Sequence, residues 1–193
     1  MSQFFEIHID PALIARARRG DHAAYHDIYQ CLAKPVYTLI RRLVVRPAVA
    51  EELLQDVFVE LLRGIDAYNG SGSFAGWVRS IAVTRALMHL RSPWHRRLLW
   101  LSPELAAPLS AAEVVRTEEL PQALERALER LSPTTRSVVW LYDVEGYTHE
   151  EIARLHGRSI SFSKSQLARA HRQLRAWLEP HTGELACTPT TRN

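Results

Sequence analysis

Apolar residues recur at the three- and four-residue spacing of a helix along most of this chain, and no stretch alternates with the period of two expected of a strand. Asp10-Pro11 pairs an N-cap with a proline at the first helical position, and Gly20 is a stop, which predicts a helix over 11–19. Asp21 caps the next helix, with Tyr25, Ile28, Tyr29 and Leu32 on its apolar side. Pro35 is expected to bend or restart the chain, after which Val36, Leu39, Ile40, Leu43 and Val44 continue a helix to about Val45. Pro47 opens another, in which Leu53, Leu54, Val57, Phe58, Leu61 and Leu62 form a wide apolar stripe opposite Glu51, Glu52, Gln55, Asp56 and Glu60. After the loop Asn69-Gly70-Ser71-Gly72-Ser73, a helix over 74–91 carries Trp77, Val78, Ile81, Ala82 and Leu90 and ends at Ser92-Pro93. Gln122 to Leu131 reads as a helix with Ala123, Leu124, Ala127, Leu128 and Leu131 inward. Ser132-Pro133 caps a further one with Val138, Val139, Leu141 and Tyr142. The fold class expected is all-α.

The sharpest local pattern lies between Thr148 and Leu178. Thr148 and Glu151 form a capping box, Ile152, Ala153 and Leu155 make a short apolar side, and Gly157 can take the positive φ of a tight turn. A second helix starts near Ser161 with Leu167, Ala170, Leu174 and Trp177 on one stripe. From Arg154 to Leu178 every charged side chain is basic. A helix–turn–helix with a cationic second helix suits the DNA major groove, where side chains near the helix start reach base edges. Taken alone, the same pattern also describes an ordinary helical hairpin with a solvated basic face.

Composition alters the picture in three places. The 193 residues, 47% of them hydrophobic, can bury the cores of two small domains. Residues 93–120 are less periodic and hold Pro93, Pro103 and Pro108, so they read as a linker between a domain over 10–92 and another over 121–179. The tail 180–193 has no core residues and is expected to be disordered. The formal charge is only +3, but acids concentrate at 51–66 and arginines without acids at 79–97, which implies separate acidic and basic surfaces. Only Lys34 and Lys164 are lysines, and arginine suits bidentate contact with phosphate or guanine. Cys31 sits on an apolar stripe and Cys187 in the tail, so one buried thiol and one loose thiol are expected, as in a reducing cytoplasm. The start MSQFFEIHID lacks a secretory signal pattern and no apolar run is long enough to insert in a membrane, so the location expected is cytoplasmic.

Catalytic signatures are missing. There is no phosphate loop, nucleophile elbow or cysteine–histidine metal pattern, and His22 and His26 have no third ligand at useful spacing. Neither an enzyme nor a cofactor or metal is expected. The segment 69–91 is more informative. Its small-residue loop, with Asn69, Gly70, Ser71 and Ser73, precedes Phe74 and Trp77 and then Arg79, Arg85, His89 and Arg91. Aromatics among cations suit unstacked bases on a single strand. Burial of Trp77 beside Val78 and Ile81, as a core side chain, is the reading favoured for that residue.

Together these segments resemble the extracytoplasmic-function sigma factors of bacterial RNA polymerase, over about residues 12–91 and 121–178. GDHAAYHDIYQ and AEELLQDVFVELLR are similar to regions 2.1 and 2.2. YNGSGSFAGWVRSIAVTRALMHLR is similar to the promoter-melting and minus-ten regions, and LSPTTRSVVWLYDVEGYTHEEIA followed by KSQLARA to region 4. The resemblance implies core polymerase docking through Gln55, Asp56 and Glu60 with Phe58 at the edge. It also implies minus-ten contacts from 69–91, minus-35 contacts from Arg158, Ser161, Ser163, Lys164, Gln166, Arg169 and Arg172, and an anti-sigma partner. The chain departs from the family pattern at Thr84 and Met88, where asparagine and aspartate are usual, at Ser161-Phe162-Ser163, and at His156, usually apolar. Limited melting power is expected from Thr84 and Met88. The competing readings are a helix–turn–helix regulator that acts without core docking, which would carry a strand-containing domain in front, and a helical adaptor that binds proteins only.

Overall fold

The computed structural model describes residues 3–92 and 122–178; the expected linker over 93–120 and the tail over 180–193 lie outside the described residues. A 3-10 turn at Gln3–Phe5 leads to α1 (Pro11–Arg18), α2 (His22–Val44), α3 (Pro47–Gly64) and α4 (Phe74–Arg91). The second group is α5 (Gln122–Arg130), α6 (Pro133–Val139), a π-helical turn at Trp140–Val144, α7 (His149–His156) and α8 (Ile160–Leu178). The described residues hold no strand, and the fold is all-α, as expected.

Local chemistry accounts for most helix starts. Asp10 accepts from the Ala12 amide at 2.8 Å, Asp21 from Ala23 and Ala24, Ser73 from Gly76 and Ser132 from Thr135. Each such cap satisfies an amide that the helix itself leaves unpaired and is worth about 1 kcal/mol.

Two expectations are corrected. Pro35 does not restart the chain, because α2 runs unbroken from His22 to Val44. The ladder bond lost at Pro35 is offset by burial of Ile28, Leu32, Val36, Ile40 and Leu43 on one stripe, each worth about 1.5–3 kcal/mol. Cys31 is exposed rather than buried, since it lies one position off that stripe. Helix α2 then stops in a γ-turn centred on Val45 (φ 64°), where the Arg46 amide reaches the Val44 carbonyl at 2.7 Å.

Helices α2, α3 and α4 pack mutually around Ile28, Val36, Val57, Leu61, Val78 and Leu87. In the second group α6, α7 and α8 enclose Leu141, Ile152, Leu167 and Ala170, and α5 closes the top with Ala127 and Leu128. The second group rests on the first, with α6 against α2 and α4 and α7 against α4.

Candidate nucleic-acid interface

Helices α7 and α8 form the anticipated helix–turn–helix. Thr148 Oγ1 accepts from the Glu151 amide at 3.2 Å, and Glu151 Oε2 accepts from the Thr148 amide at 2.8 Å, completing the capping box. The Thr148 amide also holds the Glu151 carboxyl below its ordinary pKa. Gly157 ends α7 at φ 60° and ψ 41°, a left-handed conformation that a Cβ would strain. Ser159 Oγ then accepts from the Phe162 amide, and α8 begins with its unpaired amides at the protein surface, an arrangement that attracts phosphate.

The face of α8 differs from the expected one at two positions. Ser163 is fully buried and its Oγ lies 3.0 Å from His149 Nδ1, so it is no DNA contact. It shares the stripe of Leu167 and Ala170, four and seven residues on, which turns it into the core. Gln166 is half-buried, and its Oε1 accepts from Thr135 Oγ1 at 2.8 Å. Bidentate reading of adenine needs that oxygen in the groove; here it points back at α6. Exposed instead are Arg158, Ser161, Lys164, Arg169 and Arg172, together with Ser165 and Ala168, which the sequence reading passed over. Both fall opposite Leu167 and Ala170 on the helical wheel, a signal present in the sequence.

His156 occupies the apolar position before the turn. It is 8% exposed, with Nε2 at 3.3 Å from Ser137 Oγ. Burial first, then the positive charges of Arg91 and Arg158, lower its pKa to about 4. The folded domain therefore binds fewer protons than the unfolded chain between about pH 4 and 6.5, so stability falls as pH drops through that window. At 1.36 kcal/mol per unit the loss approaches about 3 kcal/mol. Thermal melts at pH 7 and pH 5 are expected to show a lower midpoint at pH 5, and His156→Leu is expected to remove most of the difference.

The loop before α4 is braced from both sides. Tyr68 Oη donates to the Gly72 carbonyl at 2.8 Å, and the Arg18 guanidinium donates to the Tyr68 carbonyl. Gly70 (φ 82°) and Gly72 (φ 76°) take the turns that other residues resist. Asn69, Gly70, Ser71 and Ser73 are all exposed. Asn69 Oδ1 accepts from the Ser71 amide and Ser71 Oγ, which leaves its NH2 group as the outward donor.

Several residues expected to meet DNA beside this loop are occupied. Phe74 is 3% exposed and packs against Tyr68 and Trp77, so it belongs to the core; the first apolar residue after a capped loop covers the bundle below it. Trp77 is half-buried in the same cluster. Arg85 pairs with Glu60 of α3. Arg79 is tied to Glu145 of the second group. His89 is half-buried, and burial is the main cause of its lowered pKa, opposed by Glu52. Arg91 is exposed.

On α3, Gln55 and Asp56 are exposed, whereas Glu60 is engaged with Arg85. Phe58 is half-buried with its ring 4.7 Å from that of Tyr29. Tyr29 (41% exposed) and Leu62 (48%) extend this into an apolar patch beside the acidic one. The sequence shows that these residues are apolar but not that their rings meet across two helices.

Residues 28–96 match the family described as Sigma-70 region 2, and residues 121–174 the one described as Sigma-70, region 4. The chain is 32% identical over 163 residues to the RNA polymerase sigma factor CarQ of Myxococcus xanthus, covering 84% of this chain and 94% of that one. It is 30% identical over 174 residues to the ECF RNA polymerase sigma factor SigE of Mycolicibacterium smegmatis, covering 86% and 67%. In fold it is similar to the sigma factor RpoE of Bartonella quintana, solved with the anti-sigma factor NepR (18% identity, TM-score 0.59, 81% of this chain and 98% of that one). It is also similar in fold to CnrH, solved with the cytosolic domain of CnrY (18% identity, TM-score 0.51, 86% and 95%).

Proposed function

The chain belongs to the extracytoplasmic-function sigma factors of the sigma-70 family, which direct core RNA polymerase to promoters, and from that premise we propose how its residues divide the work. The function is promoter-specific initiation of transcription, achieved by binding core polymerase and reading minus-ten and minus-35 elements rather than by catalysing a reaction.

Recognition of the minus-35 element falls to α8. The observation that carries this is its exposed face, on which Ser161, Lys164, Ser165, Arg169 and Arg172 stand without a single acid. Lys164, Arg172 and Arg158 serve phosphates, and Arg169 and Ser165 serve base edges, where each good pair is worth about 1–3 kcal/mol of discrimination. Gln166 instead holds α8 against α6 through Thr135.

The braced loop Asn69–Ser73 receives an unstacked base of the non-template strand. Its glycines let backbone approach the base, and the Asn69 NH2 donates to an acceptor on it. Arg91 lies on the phosphate path. Core polymerase docks on the Gln55–Asp56 face and the Tyr29–Phe58–Leu62 patch next to it. An anti-sigma partner, of the kind seen with RpoE, covers one or both surfaces. None of the described helices is long and apolar enough to cross a membrane, and the chain works in the cytoplasm beside the polymerase.

The test is run-off transcription by purified core enzyme with and without the chain, on closed duplex and on a template premelted at minus ten. The chain is expected to confer initiation on both. Asn69→Ala is expected to lower initiation on the premelted template and to lose discrimination at one non-template base, while the Tyr68–Gly72 and Arg18–Tyr68 bonds still brace the loop. A loss confined to closed duplex would assign the loop to melting rather than base capture. No chain-dependent initiation on either template would overturn the function.

A further inference from the structure

The loop that carries Asn69 has little of its own to hold it in place. No atom beyond their chain neighbours lies within 4 Å of where a Cβ would stand on Gly70 or Gly72. Asn69, Ser71 and Ser73 are exposed. The loop's internal bonds are short-range: Asn69 Oδ1 accepts from the Ser71 amide at 3.0 Å and from Ser71 Oγ at 2.6 Å, and Tyr68 Oη donates to the Gly72 carbonyl. Bonds of this span close the loop on itself without fixing it against the bundle. Two glycines also give it conformational freedom that an ordered loop must lose.

Two anchors connect it to the bundle. One is aromatic, the Tyr68 ring lying 5.1 Å from the ring of buried Phe74 and 5.6 Å from that of Trp77. The other is Arg18, the last residue of α1. Its Nε donates to the Ile65 carbonyl at 3.4 Å, and its Nη2 donates to the Tyr68 carbonyl. The two carbonyls bracket the 3-10 turn Ile65–Ala67, so one planar guanidinium spans the turn that leads into the loop. Among the described residues, Arg18 is the one hydrogen-bond donor to residues 65–73 from outside the segment 64–77.

The bond to Tyr68 bears directly on Asn69. The Tyr68 carbonyl and the Asn69 amide belong to one rigid peptide plane. Holding the carbonyl therefore fixes the plane from which Asn69 departs, while Ser71 holds Asn69 Oδ1. Together these set the direction of the Asn69 NH2 group. Helix α1 is itself well fastened for this purpose. Asp10 caps its start, Ile14 and Ala17 are buried, and Arg16 Nε donates to Asp21 Oδ2 at 2.7 Å, which ties the end of α1 to the start of α2. Helix α1 precedes residues 28–96, the span matched as region 2, and makes none of the promoter contacts proposed above.

We propose that Arg18 is a positioning residue for minus-ten recognition. It touches no DNA. By clamping the Ile65 and Tyr68 carbonyls it holds the Asn69–Ser73 loop, and with it the Asn69 NH2 group, where the unstacked base is received. The inference rests on the base-capture reading of that loop. Precision gives the clamp its weight, since misplacing a recognition group by about 1 Å is enough to cost about a hundredfold in rate. A hydrogen bond from a charged guanidinium is also about twice as strong as a neutral one, which suits a tether between separate helices.

The experiment has two arms, both on the full chain with Arg18→Gln and Arg18→Lys. In the first, amide hydrogen exchange of the isolated chain is read by NMR. Arg18→Gln is expected to speed exchange at the Ser71 amide about tenfold and to leave the amides of buried Ile28 and Val57 unchanged, because the opening is local. In the second, initiation by core enzyme is measured on premelted templates that carry each base in turn at the non-template position where Asn69→Ala loses discrimination. Arg18→Gln is expected to lose about tenfold of that discrimination, the worth of one good contact. The double variant with Asn69→Ala is expected to be no worse than Asn69→Ala alone, because the two side chains act through one contact. Arg18→Lys keeps the charge but lacks the fork that spans two carbonyls, and is expected to recover part of both effects. Equal losses at every base, with a salt slope shallower by about one, would make Arg18 a phosphate contact and overturn the proposal. Additive losses in the double variant, or exchange at Ser71 unaltered by Arg18→Gln, would do the same while leaving base capture by Asn69 standing. Discrimination unaffected by Asn69→Ala would instead bring down the capture reading and the role of Arg18 in it together.

Discussion

Asp56→Lys is expected to prevent assembly with core polymerase while leaving the helix content of the chain unchanged. Asp56 is exposed on α3 between the buried Leu53 and Val57, so a lysine there disturbs no packing. What changes is the face offered to the partner. A like charge placed in an interface built on opposite charge costs several kcal/mol, and about 3 kcal/mol is already a hundredfold in affinity. Glu60→Lys makes an instructive contrast. Its carboxylate is committed to Arg85 in a pair exposed on both sides, worth at most about 1 kcal/mol to the fold, so reversal there mainly sets α3 against α4. Core pull-down read beside circular dichroism distinguishes the outcomes. Unaltered pull-down by Asp56→Lys would remove α3 from the docking surface.

The second large effect lies in the other half. Leu141 is fully buried in the π-helical turn, under the helix–turn–helix. Leu141→Ala removes its packing and leaves a cavity, at a cost of about 2–5 kcal/mol. A helical unit this small has only about 5 kcal/mol of stability to lose. The expected result is unfolding of α5–α8 near 37 °C with α1–α4 still folded, since Ile28, Leu61 and Leu87 are buried where α2, α3 and α4 pack on one another. Transcription should then lose its dependence on the minus-35 element, while binding to core through α3 persists. Helix content near that of the unaltered chain at 37 °C, with minus-35 dependence intact, would show that the turn repacks around the smaller side chain.

The π-helical turn itself shows how packing can dictate local structure. The Glu145 amide reaches back to the Trp140 carbonyl at 3.0 Å, and the widened turn puts the ring of Tyr142 on that of His149 and buries Glu145 facing Arg79. No residue between Trp140 and Val144 announces this. A regular helix would satisfy the same residues locally.

Sequence alone determined what depends on neighbours a few residues away. The capping box of Thr148 and Glu151, the left-handed stop at Gly157, the caps at Asp10, Asp21 and Ser132, and the stripes of α3 and α8 rest on contacts within about four residues. The all-α class and the exposed basic face of α8 follow from those stripes. Tertiary structure decided which side chains on the flanks of each helix were left for a partner. Arg85 is taken by Glu60, 25 residues away, Arg79 by Glu145, 66 residues away, and Gln166 by Thr135, 31 residues away. The same holds for Pro35 inside an unbroken helix and for the exposure of Cys31. The physical reason is that a helical period marks the centre of a buried face well and its edges poorly. An edge residue is core, inter-helix contact or ligand contact according to what another part of the chain lays against it.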